Sequence, residues 1–294
     1  MEQITILQKF KELSEVACKS SSTIKNYWRY IQGFINHYGE HPKQEDIIHY
    51  LYYLKLERKL SKSSLNTAKF ALIYYYEEIL KEQITEKIPR IPRPKSIPKP
   101  VHQLIIKGIL DVAENEKHRL EIEVSYDTGL RPFELVKLEW AWIDIGNRQG
   151  ILNGGKFDKD RPFYFSEIVA QHLREWKEKS FKGIRNGNRK YVFFSEQRPD
   201  YHICTRSFEN VIKQLSEKAG IDLRMYPYRL RHSFCTHLNE DDVPIEKIQP
   251  RAGHNSMTTT LKYTKVKRPE GKMKFPMDNP IFKEKKEEVM PNVV

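Results

Sequence analysis

The stretch Lys87 to Pro100, KIPRIPRPKSIPKP, constrains the fold of this chain more than any other. It carries five prolines and five basic residues and no acid. Proline has no amide donor and restricts the residue before it, so neither a helix nor a central strand can run through. A stiff, extended spacer is expected, which divides the chain into two folding units. Its cations Lys87, Arg90, Arg93, Lys95 and Lys99 are also candidates to lie along a phosphate backbone.

Before the spacer the apolar spacing is helical. Ser22 is placed to cap a helix in which Ile24, Tyr27, Trp28, Ile31, Phe34 and Ile35 recur every three to four residues, and Gly39 ends it. Ile47, Ile48, Leu51, Leu54 and Leu56 mark a second helix. Leu65, Phe70, Ile73, Tyr74 and Leu80 mark a third, and Ile4 to Val16 a short one at the start. The aromatic residues follow the same period and are read as core, not as stacking platforms for bases.

After the spacer the pattern is mixed. Helices are predicted over Leu104 to Val112, Leu120 to Tyr126, Glu167 to Ser180, Phe208 to Lys218, Leu230 to Asn239 and Ile245 to Gln249. Strands are predicted over Trp142 to Leu152, Pro162 to Phe165 and Tyr191 to Phe194. The fold class is mainly α with a small antiparallel sheet. The expected divisions are a helical unit over 1–86, the linker over 87–100, a mixed α+β unit over 101–275 and a tail over 276–294.

Lys plus Arg outnumber Asp plus Glu by 51 to 39 among 294 residues, a net charge of +12. That balance favours a polyanionic partner, because each neutralised phosphate releases counterions. Cys18, Cys204 and Cys235 form no CxxC pair, which argues against a zinc site or a disulfide framework and fits a reducing cytosol. The N-terminus resembles neither a signal nor a transit peptide. The longest apolar run, Phe70 to Tyr76, falls far short of the roughly 20 residues of a membrane span, so no membrane partner is expected.

Four clusters carry candidate chemistry. In TGLRPFEL, Arg131 follows a glycine turn at a helix start, where an anion is favoured. A surface Arg131–Glu134 pair explains the same residues. In GGKFDKDR, a charged turn between strands holds Lys156, Lys159 and Arg161. It reads either as an ordinary solvated hairpin or as a turn that delivers one lysine as a proton donor. YRLRHSFCTHL puts Tyr228 and Arg231 near the N-terminal end of a helix. AGHNSMTTTLKY holds His254 and, nine residues on, Tyr263.

In this order the four segments resemble the tyrosine recombinase family, the phage integrase and Xer group. The resemblance spans nearly the whole second half. Thr23, Tyr27, Ile31 and Phe34 match the family's helical core-binding (SAM-like) domain more loosely. The resemblance implies Arg131 and Arg231 as the catalytic arginines, Lys156 as the turn lysine with Lys159 as its competitor, His254 as the third-segment histidine and Tyr263 as the nucleophile. Glu134 fits the acidic position behind the first arginine. Tyr228 stands where the family most often has histidine. A phenol, with a reference pKa of about 10, can still donate a hydrogen bond to phosphate. Pro250, Arg251 and Ala252 replace an acidic-leucine-leucine run, and a shortened, repacked helix is expected there. Lys159 and Arg161 join the spacer cations as expected DNA contacts.

The resemblance further implies strand cleavage and religation through a 3′-phosphotyrosine, with no metal, ATP or other cofactor. The implied partners are duplex DNA with a specific site and further copies of the chain, a tetramer on DNA, in the cytoplasm on the nucleoid. The role is that of an integrase or of a Xer-type dimer resolvase. The GGKxxKDR turn and short first unit lean toward the archaeal Xer-like side. Three other readings stand beside it: a type IB-like topoisomerase, a DNA-binding relative that has lost catalysis, and a basic protein with no nucleic-acid partner.

Overall fold

In a computed structural model, the structure describes residues 6–17, 20–40, 42–84, 88–92, 99–153, 160–182 and 189–253, together with Pro276. The chain divides into two compact units, Met1–Ser96 and Ile97–Val294.

The first unit is helical: α1 (Ile6–Val16), α2 (Ser21–Tyr38), α3 (Gln44–Leu56) and α4 (Lys62–Tyr74). Serines start two of them. Ser20 Oγ accepts the Thr23 amide at 3.3 Å and Ser61 Oγ the Ser64 amide at 3.2 Å, each satisfying one orphan donor of a helix start. The α2 cap is therefore Ser20, two residues before the expected Ser22. Gly39, at φ 83°, ends that helix as expected.

Phe10, Ile31, Phe34, Ile47, Leu72, Tyr75 and Tyr76 are fully buried and form the core, whereas Phe70, Ile48 and Leu56, also expected on the buried faces, are exposed. The expected third helix does not stay α-helical. From Tyr75 to Leu80 it widens into a π-helical turn that closes at Lys81, φ 64°. The turn brings two consecutive tyrosines into the core. Both phenols find carbonyls: Tyr75 donates to Glu40 O at 2.7 Å and Tyr76 to Pro42 O at 2.8 Å. Burial pushes the Tyr75 phenol up to about 12.

The start of the proline segment is docked. Proline-rich backbone has carbonyls with few amide partners, and Lys69 of α4, itself buried, supplies them. Its Nζ donates to Ile88 O at 3.0 Å and Pro89 O at 2.9 Å, and Asn66 donates to Ile91 O at 3.2 Å.

The second unit holds α5 (Gln103–Asp111), α6 (Glu116–Thr128), α7 (Pro132–Val136), α8 (Glu167–Phe181), α9 (Thr205–Lys218), α10 (Pro227–Glu240) and α11 (Ile245–Ala252), with strands β1 (Ile143–Asp144), β2 (Gln149–Leu152) and β3 (Arg161–Tyr164). The strands form one antiparallel sheet, ordered β1-β2-β3, in which Leu152 pairs with Arg161. The sheet packs into a core with Leu130, Leu135, Phe165, Phe208, Leu230 and Phe234.

Three expectations need correction. Trp142 to Leu152 is a hairpin and not one strand, because Asp144 accepts from the Asn147 amide at 3.0 Å and from its side chain at 2.6 Å, making a turn. Tyr191 to Phe194 forms isolated bridges to Glu139 and His202, since its partners are irregular segments that cannot extend a ladder. Pro250 does not shorten α11, which runs on to Ala252. It gives up only the bond its amide would have made to Glu246, and the helix end is held by contacts described below.

Replacing Lys69 by Met keeps the aliphatic stem and deletes both hydrogen bonds. Denaturant titration of the full chain is expected to show a loss of about 1–3 kcal/mol. Unchanged stability would deny the docking role.

Candidate active site

The chain turns sharply after α6. Thr128 Oγ1 donates to Val124 O at 2.6 Å and accepts the Leu130 amide at 3.3 Å. Gly129 is left-handed, φ 62°, and a Cβ there would lie 2.3 Å from the Phe234 ring, so glycine is required on both counts. The turn buries Leu130 and sets Arg131 as the cap of α7, with Pro132 opening the helix. Glu134 reaches back. Its carboxylate accepts the Arg131 amide at 2.7 Å and Arg131 Nη1 at 2.7 Å.

Three guanidinium groups then meet the end of α11. Arg161, the first residue of β3, donates through Nη1 to Arg251 O at 3.0 Å. Arg231, in α10, donates through Nη2 to Ala252 O and through Nη1 to Gly129 O. Arg131 donates through Nη2 to Gly253 O at 2.6 Å. Three arginines from three separate segments thus serve three consecutive carbonyls. A helix leaves its last carbonyls without intrahelical partners and carries partial negative charge there, which is why cations gather at this point. Gly253, at φ 61°, closes the helix.

Arg161 also gives Nη2 to Glu134 Oε2 at 2.5 Å, so Glu134 bridges Arg131 and Arg161. Burial alone would raise the Glu134 carboxyl. The charge and hydrogen bond of Arg161, with the Arg131 amide and guanidinium, outweigh it and hold the group below its ordinary value. Arg231 is 4% exposed, and burial brings its guanidinium down to about 10. It therefore stays charged at neutral pH, beside Arg131 and Arg161, which share the Glu134 carboxylate. Such a site suits an anion that two planar forks can grip. Beside Arg231, burial pushes the Cys235 thiol up to about 11, so it is no nucleophile at neutral pH.

Of the residues picked out from sequence, the structure brings together Arg131, Glu134, Arg161 and Arg231. Tyr228 lies on the first turn of α10, half exposed. Arg161 was expected to face DNA, yet its side chain is 12% exposed and turned inward, onto Glu134 and Arg251 O. Arg90 and Lys99 are exposed. Lys87, Arg93, Lys95, Lys156, Lys159, His254 and Tyr263 lie outside the described residues, though Gly253 immediately precedes His254.

Sequence reasoning missed a second polar face of α10. Arg229 donates to Lys99 O at 3.1 Å and to Arg224 O at 2.6 Å, and Ser233 accepts the Val101 amide at 2.9 Å. One turn on, His237 meets Tyr126 at 2.7 Å, and burial lowers its imidazole to about 4. The spacing of four residues among Arg229, Ser233 and His237 is a helical stripe that could have revealed this face.

Residues 101–270 match the model of the phage integrase family, and residues 6–86 that of the phage integrase N-terminal SAM-like domain. The chain belongs to the phage integrase family of tyrosine recombinases. This integrase-family chain is 31% identical over 268 residues to the tyrosine recombinase XerA of Pyrococcus furiosus, covering 89% of each. Over 266 residues it is 30% identical to XerA of Thermococcus kodakarensis, covering 89% of this chain and 90% of the relative. It is 26% identical to the tyrosine recombinase XerD of Halalkalibacterium halodurans, covering 84% and 88%. Among solved structures, a XerA recombinase aligns with TM-score 0.53 at 27% identity, covering 89% and 93%. The Tn1549 transposon integrase, solved with a circular intermediate DNA, shares the fold with TM-score 0.67 at 20% identity, covering 90% and 96%. Among the described residues of this recombinase, no helix is long and apolar enough to cross a membrane.

The depressed Glu134 carboxyl gives a pH signature. Its contribution to stability is present above the unfolded value of about 4.3 and is lost as pH falls through the folded value. Glu134→Gln is expected to cost about 2–4 kcal/mol at pH 7, as for breaking a buried ion pair. The gap to wild type should close in acid. A gap independent of pH in thermal melts would contradict this account.

Proposed function

We propose that the chain cuts and rejoins duplex DNA at a specific site through Tyr263, forming a 3′-phosphotyrosine. The convergence of Arg131 and Arg231 on adjacent carbonyls, one residue before His254, carries this reading. Two guanidiniums so close together, drawn from distant parts of the chain, suit the two non-bridging oxygens of one phosphate.

A phosphodiester resists attack because its charge repels nucleophiles. Arg131 and Arg231 would neutralise that charge and hold the extra charge of the pentavalent transition state, usually a large part of catalysis. The Tyr263 oxygen attacks phosphorus, the bond to the 5′ oxygen breaks, and Lys156 supplies the proton that makes it a leaving hydroxyl. His254 orients the phosphate and the nucleophile, and Tyr228 donates a hydrogen bond where a histidine would. The new phosphotyrosine keeps the energy of the broken ester, so the 5′ hydroxyl of another strand can reverse the step without ATP.

In this reading the helical unit over 1–86 and the catalytic unit over 101–275 both grip the duplex. The basic residues Lys87, Arg90, Arg93, Lys95, Lys99 and Lys159 contribute phosphate contacts that set register. Four copies assemble on two duplexes, with the tail over 276–294 exchanged between neighbours, in the cytoplasm on the nucleoid. Identity to archaeal XerA proteins along most of both chains favours a Xer-type role. The matched relatives do not favour a topoisomerase or an inactive relative.

Incubating the protein with nicked genomic fragments of its host and denaturing the mixture tests this. A protein–DNA adduct is expected from wild type and none from Tyr263→Phe. Arg131→Ala is expected to cut adduct formation by about 100-fold or more while keeping most of the affinity for DNA. An adduct that survives Tyr263→Phe would refute the assignment.

A further inference from the structure

We propose that Arg161 is a positioning residue that clamps together the three segments carrying the proposed catalytic groups. The inference rests on the reading above for what those groups do.

Three observations carry it. First, Arg161 opens β3 five residues after Lys156 in sequence and pairs with Leu152 across β2 and β3. Second, its two terminal nitrogens go to two other segments, Nη2 to Glu134 and Nη1 to Arg251 O. Through Glu134 it reaches Arg131, whose Nη1 takes the other carboxylate oxygen at 2.7 Å. Through Arg251 O it holds the turn that leads into His254. Third, its remaining edge is packed against Gly253. A Cβ on Gly253 would lie 2.5 Å from Arg161 Nε and 2.6 Å from Cδ. Its terminal nitrogens thus join two segments while its Nε edge lies against Gly253 of the α11 turn.

The charge arrangement supports the same role. Were Arg131 the only cation on Glu134, the carboxylate would draw the Arg131 fork toward itself. Arg161 shares Glu134, so one negative charge is split between two guanidiniums and a net positive charge is left for an incoming anion. Lysine could not do this, because a point charge on a flexible stem cannot span a carboxylate and a carbonyl at fixed angles.

Full-length variants are assayed for single-turnover cleavage on the nicked duplex recovered from the wild-type adduct, and for binding to it. Arg161→Ala should slow cleavage about 100-fold, the scale of a small misplacement of reacting groups, with affinity for the duplex changed less than about threefold. Arg161→Lys, which keeps the charge and guards against a simple failure to fold, should remain well below wild type.

Wild-type cleavage by Arg161→Ala would overturn the inference. So would binding lost in proportion to cleavage. If wild type forms no adduct at all, the catalytic reading fails separately, and amide exchange then decides the clamp. Faster exchange over residues 245–253 in Arg161→Lys, with α6 unchanged, supports it; no difference rejects it.

Discussion

The catalytic unit is organised around the unpaired carbonyls at the end of one short helix. A helix terminus left bare in a protein interior is costly, since each unsatisfied carbonyl forfeits a hydrogen bond. Here the carbonyls of Arg251, Ala252 and Gly253 are met by guanidinium groups from β3, α10 and the cap of α7. Elements distant in sequence are thereby fixed at one point, and each brings a positive charge with it. The glycine turns obey the same geometry. Gly129 exposes its carbonyl to Arg231 while yielding space to Phe234, and Gly253 yields space to Arg161.

Burying that much positive charge has a cost, and it is offset locally. Arg231 is almost completely enclosed, and removal from water lowers its affinity for the proton, yet not enough to discharge it. The Glu134 carboxylate is shared between two arginines of the cluster. Arg231 gives its terminal nitrogens to carbonyls and keeps its charge, which is the electrostatic condition of a site made for an anion. The helix end, with partial negative charge, satisfies donors without neutralising them.

The helices were largely legible in the sequence because their apolar residues are both periodic and buried, as with Ile31, Phe34 and Ile47 in the first unit. Gly129 and Arg131 were legible because a glycine turn before a proline-started helix is a local signal. The π-helical turn at Tyr75 was not, since its residues continue the α pattern and only packing of adjacent tyrosines selects the wider turn. Val192 and Phe193 read as a strand because they are apolar and fully buried. Their backbone instead bonds to Leu138 and Ile203 in irregular segments. Arg161 shows the hardest limit. Spacing locates a residue at the start of a strand, whereas the direction of a long charged side chain depends on Glu134 and α11, far away in the sequence.

The polar back face of α10 bears on where this chain can be divided. Arg229 and Ser233 take up the carbonyl of Lys99 and the amide of Val101, so the last turn of the proline segment belongs structurally to the second unit. Likewise Lys69 and Asn66 hold Ile88, Pro89 and Ile91 to the first. A protease or a gene truncation that trims either unit back to its outermost helix would strip a buried arginine or lysine of its acceptors. A separately expressed half therefore has to carry its own piece of the spacer.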